Sequence, residues 1–149
     1  MTRRSISGLF GFVGCTMVTS SASRQGAINT STYSAELCAA KSGAEEAVSL
    51  RYMLRSIGVE PDGPTLLIGD NLGSLRSTTN PGAECKKRHV NIAFHYVREC
   101  NAAGIVRIYK VHTDYNPSDM NTKALDKDKI RSFSKYVGYL EPTSRAAQV

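Results

Sequence analysis

No apolar run in this chain is long enough to cross a bilayer, which argues against a membrane-spanning protein. The stretch after Arg3 and Arg4 imitates the opening of a secretory leader, but Gly8, Gly11 and Gly14 break it and it is too short. The four cysteines, Cys15, Cys38, Cys85 and Cys100, show no CxxC spacing. Neither a disulfide framework nor a zinc site is therefore expected, and the thiols read as reduced, in an intracellular protein that is not secreted. No internal repeat is visible, and no acidic residue precedes Glu36.

What is present describes one soluble globule. The 149 residues are 41% apolar and 21% charged, enough to bury the core of a single domain but short of two. The net charge is +6, and its distribution is uneven. Residues 1–74 carry six basic and six acidic groups, so the whole excess lies in the second half. A basic half points to a polyanionic partner, although a merely solvated basic surface accounts for it equally well.

Two runs rich in β-branched and aromatic residues, Ile6 to Val13 and Thr16 to Ser20, predict a hairpin. A polar turn through Ser23, Gln25 and Gly26 follows. Thr30, Ser31 and Thr32 are candidate caps for a long helix reaching Ile57, with Leu37, Ala40, Ala44, Ala47, Val48 and Leu54 on its apolar stripe. Thr65 to Gly69 reads as a buried strand ending in Asp70. Asn71 to Thr78 reads as a short helix. Lys86, Lys87, Arg88 and His89 open a second long helix that runs through Asn101 and is stopped by Gly104. Ile105 to Val111 alternates as a strand does, and Thr113 to Ser118 reads as a loop. Helices are expected over Asp119 to Leu125 and Lys127 to Tyr139, then a loose tail over Glu141 to Val149. Strands mixed with crossover helices predict an α/β fold with a mixed, partly parallel sheet flanked by helices.

Three carboxylates occupy informative places in this layout. Glu36 lies in the first turns of the long helix, Asp70 at the carboxyl end of a strand, and Asp119 at an expected helix start. Ligands of open α/β sheets bind outside the carboxyl ends of strands. Carboxylates converging there repel one another unless a cation sits between them, and such oxygen ligands suit Mg²⁺ or Mn²⁺. Taken singly, each has an ordinary explanation: Glu36 complements a helix dipole, Asp119 caps a helix, and Asp70 sits in a turn. On the second long helix, Arg88, Asn91, His95 and Arg98 share a face opposite Val90, Phe94 and Val97, a pattern suited to phosphate contacts.

The segment SAELCAA, with Glu36, resembles the catalytic-glutamate helix of ribonuclease H domains, and LLIGDN resembles their strand ending in a catalytic aspartate. More specifically, TRRSISG, STYSAELCAA, GDNLGSL, KKRHVNIAFHYVRE and NPSDMNTKAL, in that order, resemble the ribonuclease H domain of copia-type LTR retrotransposon Pol polyproteins. The resemblance spans residues 2–140. It implies a ribonuclease H-like fold in which Glu36, Asp70 and Asp119 are catalytic, metal-binding carboxylates of a Mg²⁺ or Mn²⁺ endonuclease. The hydrolase of that family cuts the RNA strand of RNA–DNA hybrids. It also implies that the helix opened by Lys86, Lys87 and Arg88 helps to hold the hybrid, to which the spacing adds Asn91, His95 and Arg98 as candidate contacts, that an upstream reverse transcriptase region is a partner, and that the setting is a cytoplasmic retroelement particle or the nucleus.

One departure weighs against full activity. Ribonuclease H domains use four carboxylates, the first on an opening strand that has no counterpart here. The expected sheet therefore lacks its first strand and the two-metal site one ligand. Both an impaired hydrolase and a catalytically inactive remnant that binds nucleic acid fit this pattern, and exposed sheet edges would favour self-association.

Overall fold

The computed structural model describes residues 4–26, 31–70 and 90–138. The chain opens with strands β1 (Ile6–Val13) and β2 (Thr16–Arg24), an antiparallel hairpin linked by Gly14 and Cys15. Helix α1 (Thr32–Ser56) follows, then strand β3 (Thr65–Gly69), helix α2 (Asn91–Ala102) and strand β4 (Val106–Lys110). Two short 3-10 turns, Thr113–Tyr115 and Pro117–Asn121, lead to helix α3 (Lys127–Tyr136). The predicted hairpin, both long helices and the strand after Gly104 are present. β2 runs four residues further than expected, through Ser23, which reads as a turn residue.

β3 and β4 pair in parallel, Thr65 opposite Val106 and Gly69 opposite Lys110, with α2 as part of the crossover. The fold is thus α/β, with an antiparallel and a parallel pair flanked by helices. The antiparallel and parallel pairs make up the small mixed arrangement expected from sequence, and among the described residues the two pairs share no strand ladder. They are joined instead through α1, which packs on both β1 and β3. Gly43 permits this close approach. A Cβ there would lie 2.7 Å from Leu67 Cδ1 and 3.6 Å from Leu9 Cδ1, so one helical position touches both strand pairs.

The core forms where α1 meets α2. Leu37, Val90, Ala93 and Phe94 make one buried cluster, and Ala44, Ala47, Val97, Cys100 and Val106 make another. Of these, Leu37, Ala44, Ala47, Val90, Phe94 and Val97 are positions that the helical spacing picks out, whereas Ala93, Cys100 and Val106 are not; each fully buried large side chain contributes about 1.5–3 kcal/mol. α1 starts where Ser31 Oγ accepts a hydrogen bond from the Ser34 amide at 3.3 Å. Ser34, fully buried, has its hydroxyl 3.0 Å from that of Ser31, which satisfies it.

Three further expectations need correction. β3 is not buried: Leu66 is 58% and Ile68 56% exposed, because α1 covers only the face bearing Leu67. The helix expected over Asp119 to Leu125 is a 3-10 turn with Asp119 in its interior. Asn116 Oδ1 accepts from the Ser118 amide, and the Asp119 carbonyl accepts from the Thr122 and Lys123 amides, which close the chain into a turn before an α-helix can start. The helix expected to reach Tyr139 ends at Tyr136. The short helix over Asn71 to Thr78, the basic cluster from Lys86 to His89, and the tail from Glu141 lie outside the described residues. Cys15, Cys38 and Cys100 are free thiols. Among the described residues, no helix is long and apolar enough to cross a membrane.

Candidate functional site

A cavity of about 510 Å³ lies where the start of β1, the first turns of α1, the end of β3 and the Asp119 turn come together. Glu36, Asp70 and Asp119 all line it. Carboxylates 34 and 49 positions apart in the chain are thereby gathered at one place. Glu36 comes from α1, on the side of the helix that faces β1. Asp70 follows β3, whose parallel partner β4 fixes its end through the Val111 amide bonded to the Gly69 carbonyl at 2.9 Å.

Asp119 is placed by a close contact between its turn and β1. A Cβ on Gly8 would fall 2.6 Å from the Ser118 carbonyl oxygen and 2.8 Å from Asn121 Cβ, so only glycine fits. Asn121 Nδ2 then reaches the Leu9 and Ser21 carbonyls at 3.0 and 3.1 Å, tying the turn to the hairpin. On the other wall Gln25 Nε2 donates to Ser7 Oγ and to the Ala35 carbonyl, both at 2.8 Å, locking the hairpin end to the start of α1 beside Glu36. The cavity is therefore walled by bonded backbone rather than by loose side chains.

Its electrostatics are those of crowded acids. Partial burial, followed by repulsion from Asp70, pushes the Glu36 pKa above the ordinary carboxylate value. Asp119 adds to that push, whereas Lys123 opposes it. Lys123 also lines the cavity, and its Nζ lies 3.0 Å from Asp119 Oδ2. Among the described residues, no three of His, Cys, Asp and Glu come close enough together to hold a metal ion. The described residues thus give no complete metal-coordinating group, consistent with an incomplete or absent two-metal site, and the Asp119 carboxylate is paired with an ammonium group.

Because the Glu36 carboxyl is harder to ionise folded than unfolded, the sign of its effect on stability follows. Stability is highest below the unfolded pKa and falls as pH rises through the raised folded pKa. Glu36→Gln, which never ionises, is expected to melt above the parent at pH 7, with the difference gone below about pH 4. Circular-dichroism melts at the two pH values test this. An equal offset at both would mean that ionisation of Glu36 is not what strains the cavity.

Of the proposed hybrid-binding residues, Asn91, His95 and Arg98 lie on α2, with His95 exposed. Arg98 does not stand opposite the core as its spacing suggested. Its guanidinium sits 5.2 Å from the centre of the Phe94 ring, because residues four apart share a helix side. Lys86, Lys87 and Arg88 lie outside the described residues. Gln25, Asn121 and Lys123 were not singled out from sequence. For Lys123 a signal existed, since it follows Asp119 by four residues, the spacing of an intrahelical ion pair.

Comparison with known proteins bears on the ancestry of the chain. The chain is 23% identical over 137 residues to the retrovirus-related Pol polyprotein from transposon RE2 of Arabidopsis thaliana, covering 92% of this chain and 9% of that polyprotein. It is 23% identical over 134 residues to the polyprotein from transposon RE1 of the same plant, covering 90% and 9%. To the polyprotein from transposon TNT 1-94 of Nicotiana tabacum it is 26% identical over 114 residues, covering 76% and 8%. The chain is distantly homologous to retrotransposon Pol polyproteins and spans less than a tenth of the length of these relatives. No family model and no solved structure matches it.

Proposed function

We propose that residues 2–140 form a ribonuclease H-like domain of copia-type Pol ancestry that binds RNA–DNA hybrids and hydrolyses them weakly or not at all. The observation that carries this reading is the convergence of Glu36, Asp70 and Asp119 on one cavity at the carboxyl end of β3. Those are the three positions that the resemblance to ribonuclease H domains marks as catalytic. The basic second half of the chain, with Asn91, His95 and Arg98 on α2 and Lys86, Lys87 and Arg88 before it, supplies the phosphate-binding surface. Mg²⁺ or Mn²⁺ is the cofactor this ancestry implies. The setting is a retroelement particle or the nucleus, with the reverse transcriptase region of a Pol polyprotein as partner.

The non-catalytic form of the reading is favoured by one specific contact, the ion pair between Lys123 and Asp119, together with the lack of a three-ligand group among the described residues. Losing one well-placed electrostatic contributor costs hydrolytic sites about 10²–10³ in rate. With Mg²⁺ or Mn²⁺, the chain is therefore expected to cut an end-labelled hybrid at least about a hundredfold more slowly than a four-carboxylate ribonuclease H, and to leave single-stranded RNA intact. Rapid cleavage abolished by Glu36→Gln would show instead that these three carboxylates suffice. Cleavage that survives that substitution would place the activity outside this cavity.

A further inference from the structure

The acidic cavity contains its own cation. Asp119 is buried, with 12% of its side chain exposed, and a carboxylate so placed needs a positive or hydrogen-bonding partner. Lys123 Nζ provides it at 3.0 Å. The lysine is held in place by the backbone as well as by the charge: the Lys123 amide donates to the Asp119 carbonyl at 3.0 Å, and the Thr122 hydroxyl bonds the same carbonyl at 3.3 Å. The adjoining Gly8 contact and the Asn121 bonds fix that turn against β1. Of the three charges acting on Glu36, only Lys123 favours its ionised form.

We propose that Lys123 is the resident counter-ion of the Glu36, Asp70 and Asp119 cavity and competes with a divalent cation for it. The proposal rests on reading those three carboxylates as one constellation. Its physical basis is simple. An ammonium bonded to Asp119 occupies one carboxylate oxygen and raises the electrostatic cost of bringing a doubly charged ion among the same acids. The lysine also relieves the repulsion that would otherwise open an acid-lined cavity, so the folded chain does not depend on metal. Lys123 is here a positioning and competing residue, and nothing assigns it a role in bond making. Its side chain is more than half exposed, which lets it swing out when a stronger cation arrives.

The test is a Mn²⁺ titration of the full chain, followed by calorimetry, with the parent, Lys123→Gln, Lys123→Arg, Glu36→Gln and the double variant carrying Lys123→Gln with Glu36→Gln. Lys123→Gln is expected to tighten Mn²⁺ binding about tenfold, Lys123→Arg to leave it as weak as in the parent, and the added Glu36→Gln to remove the gain. Unchanged or weaker binding in Lys123→Gln overturns the proposal, while a loss of parental affinity in Glu36→Gln alone would leave the shared-cavity reading standing. A gain that survives Glu36→Gln overturns both, since the ion would then bind elsewhere. A second measurement on the parent needs no variant. Acetylation of lysines, read by mass spectrometry, is expected to speed up at Lys123 when Mn²⁺ is added and to stay constant at Lys41, whose partner Glu45 lies on the outer side of α1. Equal rates at Lys123 with and without Mn²⁺ contradict the competition.

Discussion

Replacing Phe94 by alanine is expected to cost about 3–5 kcal/mol of stability, the usual penalty for removing a buried aromatic ring. The ring is fully buried among Leu37, Val90 and Ala93, with Tyr33 and Cys38 packed at the margin. It is the main contact between the parts of α1 and α2 that lie nearest the cavity. For a domain whose total stability is on the order of 5–15 kcal/mol, that loss is a large fraction. Urea denaturation should show the midpoint shifted strongly downward, with a melting temperature lower by roughly 10 °C or more. His95→Ala, one residue away but exposed, should stay within about 0.5 kcal/mol of the parent. Similar midpoints for the two variants would mean that α2 is not held by this ring.

Gly8→Val is expected to damage the cavity more specifically. Its Cβ would meet the Ser118 carbonyl oxygen at 2.6 Å, Thr122 Cγ2 at 2.7 Å and Asn121 Cβ at 2.8 Å. The first of these is backbone and cannot rotate away. β1 and the Asp119 turn must therefore part, which strains the bonds from Asn121 to the hairpin and draws Asp119 and Lys123 away from Glu36. Overpacking of this kind costs about 1–3 kcal/mol. The expected result is a lower melting temperature, together with loss of the pH-dependent melting difference that Glu36→Gln produces in the parent, since the charges acting on Glu36 have moved. Gly26→Ala serves as the comparison, because among the described residues nothing lies within 4 Å of a Cβ there. A Gly8→Val chain that melts like the parent would show that the turn is free to shift and that Asp119 is not fixed by β1.

How far the sequence carried the fold depends on which force dominates at each element. α1 and α2 were legible because helical periodicity records burial directly, and Leu37, Ala44, Phe94 and Val97 are all buried where that period put them. β3 was legible as a strand but not in its surroundings. An apolar run such as Leu66 to Ile68 looks the same whether one face or two are covered, and here only one is. The Asp119 segment failed for a different reason: side-chain bonding by Asn116 and the bonds converging on the Asp119 carbonyl decide its shape, and neither leaves a hydrophobic period.

The site was legible in its acids and not in its supports. Glu36, Asp70 and Asp119 stood out because carboxylates at strand and helix ends carry a chemical expectation. Gln25 and Asn121 did not, since a polar side chain in a turn-like segment usually faces water. Their long-range partners, Ala35 and Ser7 for one, Leu9 and Ser21 for the other, exist only once the chain is folded. Lys123 lay within reach of a spacing argument, but a search for metal ligands passes over a lysine. The cation that the structure supplies to these acids belongs to a class of residue that such a search leaves out.

Under the proposed function, this domain holds RNA–DNA hybrid with an affinity that does not depend on a catalytic metal. The most direct measurement is fluorescence anisotropy of a labelled RNA–DNA hybrid titrated with the full chain in excess chelator, at several salt concentrations. Saturable binding that persists without divalent metal is predicted, with the logarithm of affinity falling linearly against the logarithm of salt, as phosphate contacts require. Loss of all saturable binding at roughly 50 mM salt, or binding that appears only when Mg²⁺ or Mn²⁺ is restored, would contradict it.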